Sequence, residues 1–249
     1  MSEQTHSPLW HQCLDYLYTY LTPERQKRFE DILKYRTQHV AVMLEDLFQP
    51  HNASAAVRSC DCFGIQDIYV VQNEYEFQTT KGVSMGAEKW STLHHYEEQG
   101  VNNSAACIVD LKKKGYKIAA TTPHTESVMI HELPLNEPVV LMFGSEKPGL
   151  TEQAMDVADY HVKIPMFGFT ESYNISVSVA LSLYEITRRL HTMPGEVWEL
   201  NLRTKNELRM DWARKSIKPA KELLLRYLSD HNLSAEGTEL DIENWPSAF

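Results

Sequence analysis

Short runs of β-branched and apolar residues alternate along this chain with stretches whose apolar positions recur every three or four residues. These are the periods of buried strands and amphipathic helices. Val40–Leu44, Ile68–Val71, Lys117–Thr121, Val139–Phe143 and His161–Ile164 read as strands. Helices are expected between them over Ala53–Phe63, Ser104–Lys114, Glu152–Ala158 and Ser172–Leu190. Such alternation implies an α/β fold, a largely parallel sheet with helices on both faces.

Two helices precede it, Leu9–Leu21 and Pro23–Arg36, the second opened by Thr22 as N-cap and Pro23 at the first helical position. After Pro194-Gly195 the chain returns to helix over Glu199–Tyr227. The expected organisation is an N-terminal helical extension over 1–37, an α/β catalytic domain over 38–192 and a C-terminal basic helix with an acidic tail over 193–249. No repeat or low-complexity block is present.

Composition narrows the class. With 249 residues, 43% of them hydrophobic, the chain can bury a core, and no apolar run approaches the roughly 20 residues of a membrane helix. Met1–Leu9 lacks the features of a signal peptide, so a cytoplasmic protein is expected. The four cysteines, Cys13, Cys60, Cys62 and Cys107, are too few for a disulfide scaffold and lack zinc spacing, so all four read as reduced and structural. No metal ligand set is evident.

The net charge of −10 argues against a polyanionic partner, but the charge is unevenly distributed. Arg203, Lys205, Arg209, Arg214, Lys215, Lys218, Lys221 and Arg226 face only Glu207, Asp211 and Glu222 in the same segment. Arg25, Lys27, Arg28, Lys34 and Arg36 form a smaller basic cluster. The tail with Asp230, Glu236, Glu239, Asp241 and Glu243 is acidic and reads as disordered.

A parallel sheet binds ligands beyond the carboxyl ends of its strands, which directs attention to three loops. After Val40–Leu44 comes Asn52, a candidate N-cap, with Arg58 six residues on among Ala, Val and Cys, where a buried guanidinium would need a partner. After Val139–Phe143 comes Gly144-Ser-Glu146-Lys-Pro-Gly149, with the spacing of a P-loop but Leu150-Thr151 where Lys-Ser/Thr is required. After His161–Ile164 comes Pro165-Met-Phe-Gly-Phe-Thr-Glu-Ser172-Tyr173-Asn174, with Ser172 as expected cap of the next helix and Asn174 in its first turn. Taken singly, the loops also read as a structural ion pair, a glycine-bounded turn and an ordinary helix start. The stripe Val177, Leu181, Tyr184 and Leu190 reads as core or subunit interface.

Together, in this order, the loops resemble the three motifs of the SpoU/TrmH branch of the SPOUT RNA ribose 2′-O-methyltransferases. The motifs read Asn52-Ala-Ser-Ala-Ala-Val-Arg58-Ser-Cys-Asp-Cys-Phe-Gly64, Leu141-Met-Phe-Gly-Ser-Glu146-Lys-Pro-Gly149-Leu and Ile164-Pro-Met-Phe-Gly-Phe-Thr-Glu-Ser172-Tyr-Asn174-Ile-Ser-Val. Gly86-Ala-Glu-Lys-Trp90 is similar to members acting on guanosine 18 of tRNA.

This resemblance implies a SPOUT-type deep trefoil knot, a homodimer, and S-adenosyl-L-methionine held by Thr121, Gly144, Ile164 and Tyr173, largely through backbone atoms. It also implies methyl transfer to a tRNA ribose 2′-hydroxyl, with Arg58, Asn52, Glu146, Ser172 and Asn174 as the catalytic set. Arginine keeps its proton well above neutral pH, so stabilisation of the developing alkoxide is the preferred role for Arg58 over general base. The basic C-terminal segment is expected to hold tRNA phosphates. The alternatives are methylation of 23S rRNA, an RNA-binding homologue without catalysis, and a doubly wound nucleotide-binding enzyme, the last opposed by the missing phosphate fingerprints.

Overall fold

The computed structural model describes residues 6–123, 127–145, 148–235, 239–240, 242 and 245. The chain divides into two compact units, one of residues 36–199 and one that combines 1–35 with 200–249.

In the larger unit the elements run β1 Val40–Glu45, α3 Pro50–Cys62, β2 Asp67–Val71, α4 Lys81–Ser84, β3 Thr92–Tyr96, α5 Asn103–Lys113, β4 Lys117–Thr121, β5 Val128–Met129, β6 Val139–Phe143, α6 Glu152–Asp156, β7 Tyr160–Lys163, α7 Ile175–Leu190 and α8 Gly195–Trp198. The strands form one seven-stranded sheet in the order β3-β2-β1-β6-β4-β7-β5, and all its pairings are parallel. Every residue of β1, β2 and β6 is buried. That is why these strands read as unbroken apolar runs, each buried aliphatic side chain contributing roughly 1.5–3 kcal/mol.

The alternation within those runs shows in the layers. Val40, Val42, Leu44, Leu141 and Phe143 face one side, where Ala53, Ala56, Val57 and Cys60 of α3 meet Val179, Leu183, Ile186 and Leu190 of α7. Ala41, Met43, Val140, Met142 and Ile118 face the other, against Cys107, Ile108 and Leu111 of α5 and Ala154 of α6. Under the first layer, Arg36 is 1% exposed and ion-paired with Asp61, and its Nη1 also donates to the Ile65 carbonyl at 3.1 Å. Burial lowers the proton affinity of this guanidinium, and the Asp61 carboxylate opposes that shift. Arg36 is therefore structural rather than part of an exposed basic cluster.

The smaller unit holds α1 Pro8–Tyr18, α2 Pro23–Leu33, α9 Leu202–Ser216 and α10 Ala220–Asp230. Thr22 caps α2 and Pro23 opens it, as the sequence indicates. The single helix expected over Glu199–Tyr227 is instead two, broken at Ile217-Lys218-Pro219, because proline lacks the N–H that would continue the ladder. Nor is the acidic tail wholly irregular. Asp230 closes α10, and Glu239 accepts from the buried His6. Glu236, Asp241 and Glu243 lie outside the described residues.

The cysteines are free; Cys13, Cys60 and Cys107 are buried and Cys62 is exposed. Among the described residues no helix is long and apolar enough to cross a membrane, and no cluster suits a metal ion.

Candidate active site

β1 and β6 lie side by side, yet the chain leaving β1 runs through α3 towards β2, and the chain leaving β6 runs through α6 towards β7, on opposite faces. A parallel sheet opens a crevice at such a reversal. The first and second loops of the sequence analysis start at its two sides. β4 and β7 follow β6 in the sheet, so the third loop starts from the same carboxyl edge.

Side chains tie the three loops together. Glu45, the last residue of β1, is 1% exposed. Its carboxylate accepts from the Thr151 amide at 2.9 Å, the Thr151 hydroxyl at 3.0 Å and the Ser104 hydroxyl. Thr151 caps α6 through Ala154, so Glu45 fixes the exit of the glycine loop against the end of β1. Sequence reasoning missed both Glu45 and Thr151; the available signal was an acidic residue closing an otherwise apolar strand. The first and third loops join where the Asn174 side chain donates to the Asn52 carbonyl oxygen at 3.2 Å.

Helix starts differ from the sequence expectation. Gln49 occupies the cap position of α3 and Pro50 its first turn, which puts Asn52 inside the helix, buried, with its amide donating to Gln49 at 3.3 Å. The cap of α7 is Asn174, whose oxygen accepts from the Ser176 amide at 2.9 Å. Ser172 is not that cap; it lies two residues upstream and is exposed. Both residue types cap well, so the chain pattern alone did not separate them.

Arg58 is exposed rather than packed among its apolar neighbours. Its Nη1 reaches the Val83 carbonyl at 3.5 Å, and no carboxylate within ion-pair distance is found among the described residues. The structural ion pair is therefore not made. A guanidinium carries five N–H donors, and in this exposed side chain most of them remain open to solvent.

In the glycine loop, Ser145 and Gly149 exchange both backbone hydrogen bonds at 3.2 Å, closing a tight turn. A Cβ on Gly144 would lie 2.1 Å from the Gly149 carbonyl carbon, and Gly149 itself has φ +74°. Only glycine satisfies both positions. Glu146 falls outside the described residues.

Thr121 ends β4 at the carboxyl edge, paired with Val162 of β7, and its hydroxyl is committed to the Met142 carbonyl at 2.7 Å. From Ile164 to Phe169 the backbone makes one hydrogen bond among the described residues, the Pro165 carbonyl accepting from the Tyr173 hydroxyl at 3.1 Å. The unengaged main chain of this third loop suits a ligand held through backbone atoms.

The exposed apolar positions are also informative. Val177, Leu181 and Tyr184 of α7 face outward, whereas Leu190 is core. Phe167 and Phe169, which flank Gly168 in the third loop, are 98% and 109% exposed.

The parallel sheet, its reversal and the tied loops define an α/β protein whose candidate groups gather at the carboxyl edge of its strands. The SpoU rRNA methylase family model matches residues 39–184, and the chain belongs to this family. The tRNA (guanosine(18)-2′-O)-methyltransferase of Borreliella burgdorferi is 35% identical over 199 residues, covering 80% of this chain and 88% of that protein. The enzyme of the same name from Thermus thermophilus is 31% identical over 195 residues, covering 78% of this chain and 98% of that one. The crystal structure of the Aquifex aeolicus TrmH/SpoU tRNA modifying enzyme is similar with a TM-score of 0.69 at 28% identity, covering 78% of this chain and 97% of that one.

Proposed function

We propose that this protein transfers a methyl group from S-adenosyl-L-methionine to a ribose 2′-hydroxyl of tRNA, at guanosine 18. The observation that carries this reading is the joining of the three motif loops, Asn52 to Asn174 and Glu45 to Thr151, at the carboxyl edge of the sheet in a chain of the SpoU family. The relatives bearing the guanosine-18 name support the choice of tRNA and of position.

S-adenosyl-L-methionine, when bound, supplies an electrophilic methyl group on a sulfonium sulfur. Thr121, Gly144, Ile164 and Tyr173 would hold it, mainly through main-chain groups, which fits the unengaged backbone of the third loop. A ribose hydroxyl is a weak nucleophile until its oxygen gains charge. The exposed guanidinium of Arg58 stabilises that charge as the proton leaves to water or to an RNA phosphate. Asn52 and Asn174 hold the start of α3 against the start of α7, fixing the base from which Arg58 reaches. Glu146 and Ser172 complete the proposed catalytic set on the adjoining loops.

The same reading has the chain threaded as a trefoil knot and acting in the cytoplasm as a homodimer. The outward stripe Val177, Leu181 and Tyr184, at i, i+4 and i+7 of α7, supports the dimer, since a second copy would cover it. The test is methylation of total tRNA and of rRNA by the purified protein, with the modified nucleoside mapped. Methylation of guanosine 18 in tRNA is expected; methyl transfer to rRNA alone, or to neither, overturns the reading.

A further inference from the structure

The third loop does more than hold backbone atoms towards the crevice. Phe167 and Phe169 project from it on both sides of Gly168 and are 98% and 109% exposed, about as open as in an unfolded chain. Large aromatic rings are costly to leave in water, and a folded protein tends to keep such rings where they contact something. These two sit on the segment that runs from Ile164 to Asn174, the residue that closes the site onto Asn52.

A flat apolar ring beside a crevice for a ribose suits one kind of partner, a flat aromatic one. An unstacked nucleobase has a π-face of this kind, and aromatic side chains hold such bases without regard to their edges. We propose that Phe167 and Phe169 stack on bases of the substrate RNA that have left their helix, and so position the ribose that is methylated. This rests on the reading of the chain as an RNA methyltransferase. The two phenylalanines would be positioning residues that set RNA affinity and leave the methyl-transfer chemistry to Arg58.

The test compares the full-length protein with the double variants Phe167→Leu/Phe169→Leu and Phe167→Trp/Phe169→Trp, using one unmodified tRNA transcript. Leucine keeps apolar bulk and removes the π-face, whereas tryptophan keeps and enlarges it. The leucine variant should raise KM for the transcript about 10- to 100-fold, with kcat within about threefold of the parent. The slope of log Kd against log salt should not change, because no phosphate contact is lost. The tryptophan variant should restore parental KM.

Parental KM in the leucine variant overturns the proposal while leaving the methyltransferase reading intact. Dissociation of a dimer in sedimentation, or loss of S-adenosyl-L-methionine affinity by calorimetry, reassigns the rings to a subunit contact or the cofactor and also overturns it. If the parent itself neither binds nor methylates the transcript, both the proposal and the reading beneath it fall.

Discussion

The side-chain amide of Asn174 donates to the side-chain oxygen of Asn52 over 3.2 Å, joining positions 122 residues apart. Asn174 also caps α7 through Ser176, so one residue both starts that helix and ties it to α3. Removing either partner should cost about 1 kcal/mol and lower Tm by about 2–4 °C. A double-mutant cycle of Asn52→Ala and Asn174→Ala should give a coupling of about 0.5–1.5 kcal/mol in thermal unfolding, with kcat reduced about tenfold in each single variant. Additive losses would show that the two side chains act separately.

Gly144 and Gly149 are both glycine for different reasons, and substitution separates them. Gly149→Ala meets no neighbour and adds only the left-handed backbone penalty, about 1–2 kcal/mol. Gly144→Ala places a methyl 2.1 Å from backbone, so the turn must move. Gly144→Ala should therefore abolish cofactor affinity by calorimetry, while Gly149→Ala retains it within about tenfold. Equal behaviour of the two variants would contradict this account of the loop.

The strands with every residue buried, β1, β2 and β6, were legible because burial on both faces leaves unbroken apolar runs. β3 was not, since Thr92, Leu93, His94, His95 and Tyr96 form a half-exposed edge with no clear period. Two-residue β5 is set by its pairing with β7 and has too little sequence to announce it. The exposure of Arg58 could have been read from the chain. Ala53, Ala56, Val57 and Cys60 mark the buried stripe of α3, and position 58 falls off it. The ties from Glu45 to Thr151 and from Asn52 to Asn174 join residues more than 100 positions apart, beyond the reach of local pattern.

Charge in the helical unit is largely consumed internally. Arg209 is held by both oxygens of Glu30 at 2.8 and 2.6 Å, Lys215 pairs with Asp211 at 2.6 Å, and Arg214 pairs with Asp211 as well. Arg25, Arg28 and Lys218 are exposed without a carboxylate partner among the described residues. Of the basic C-terminal segment this leaves Lys218, which Arg25 and Arg28 of the smaller N-terminal cluster join as candidates for contacts with RNA phosphates. Replacing all three by Ala should weaken tRNA binding and flatten the salt slope by about 0.9 per lost contact. Arg209→Ala should lower thermal stability and leave the slope unchanged. Filter binding across a salt series, with calorimetry of unfolding, distinguishes these outcomes.

Burial pushes the thiol of Cys13 up to about 11 and that of Cys107 up to about 12, and raises Cys60 further. These groups stay protonated in the folded protein while the unfolded chain begins to ionise near about 8.5. Unfolded chains then bind fewer protons, so stability should fall as pH rises from about 8.5 through 11. At pH 8 iodoacetamide should label one thiol of the native protein, Cys62, and four after denaturation. Rapid native labelling of a second cysteine would contradict the packing of α1, α3 and α5.

Arg58 carries the central claim, because it is charged, exposed and free of any carboxylate partner among the described residues. A residue in that state costs little stability to remove and matters only when negative charge appears beside it. Single-turnover methylation of tRNA by Arg58→Ala, at saturating S-adenosyl-L-methionine and enzyme, is the most direct measurement. The rate should be lower by about 10²- to 10³-fold, with unchanged Tm and with cofactor and tRNA affinities within about threefold of the parent. A rate equal to the parent's, or a loss traced to unfolding, would contradict the assignment.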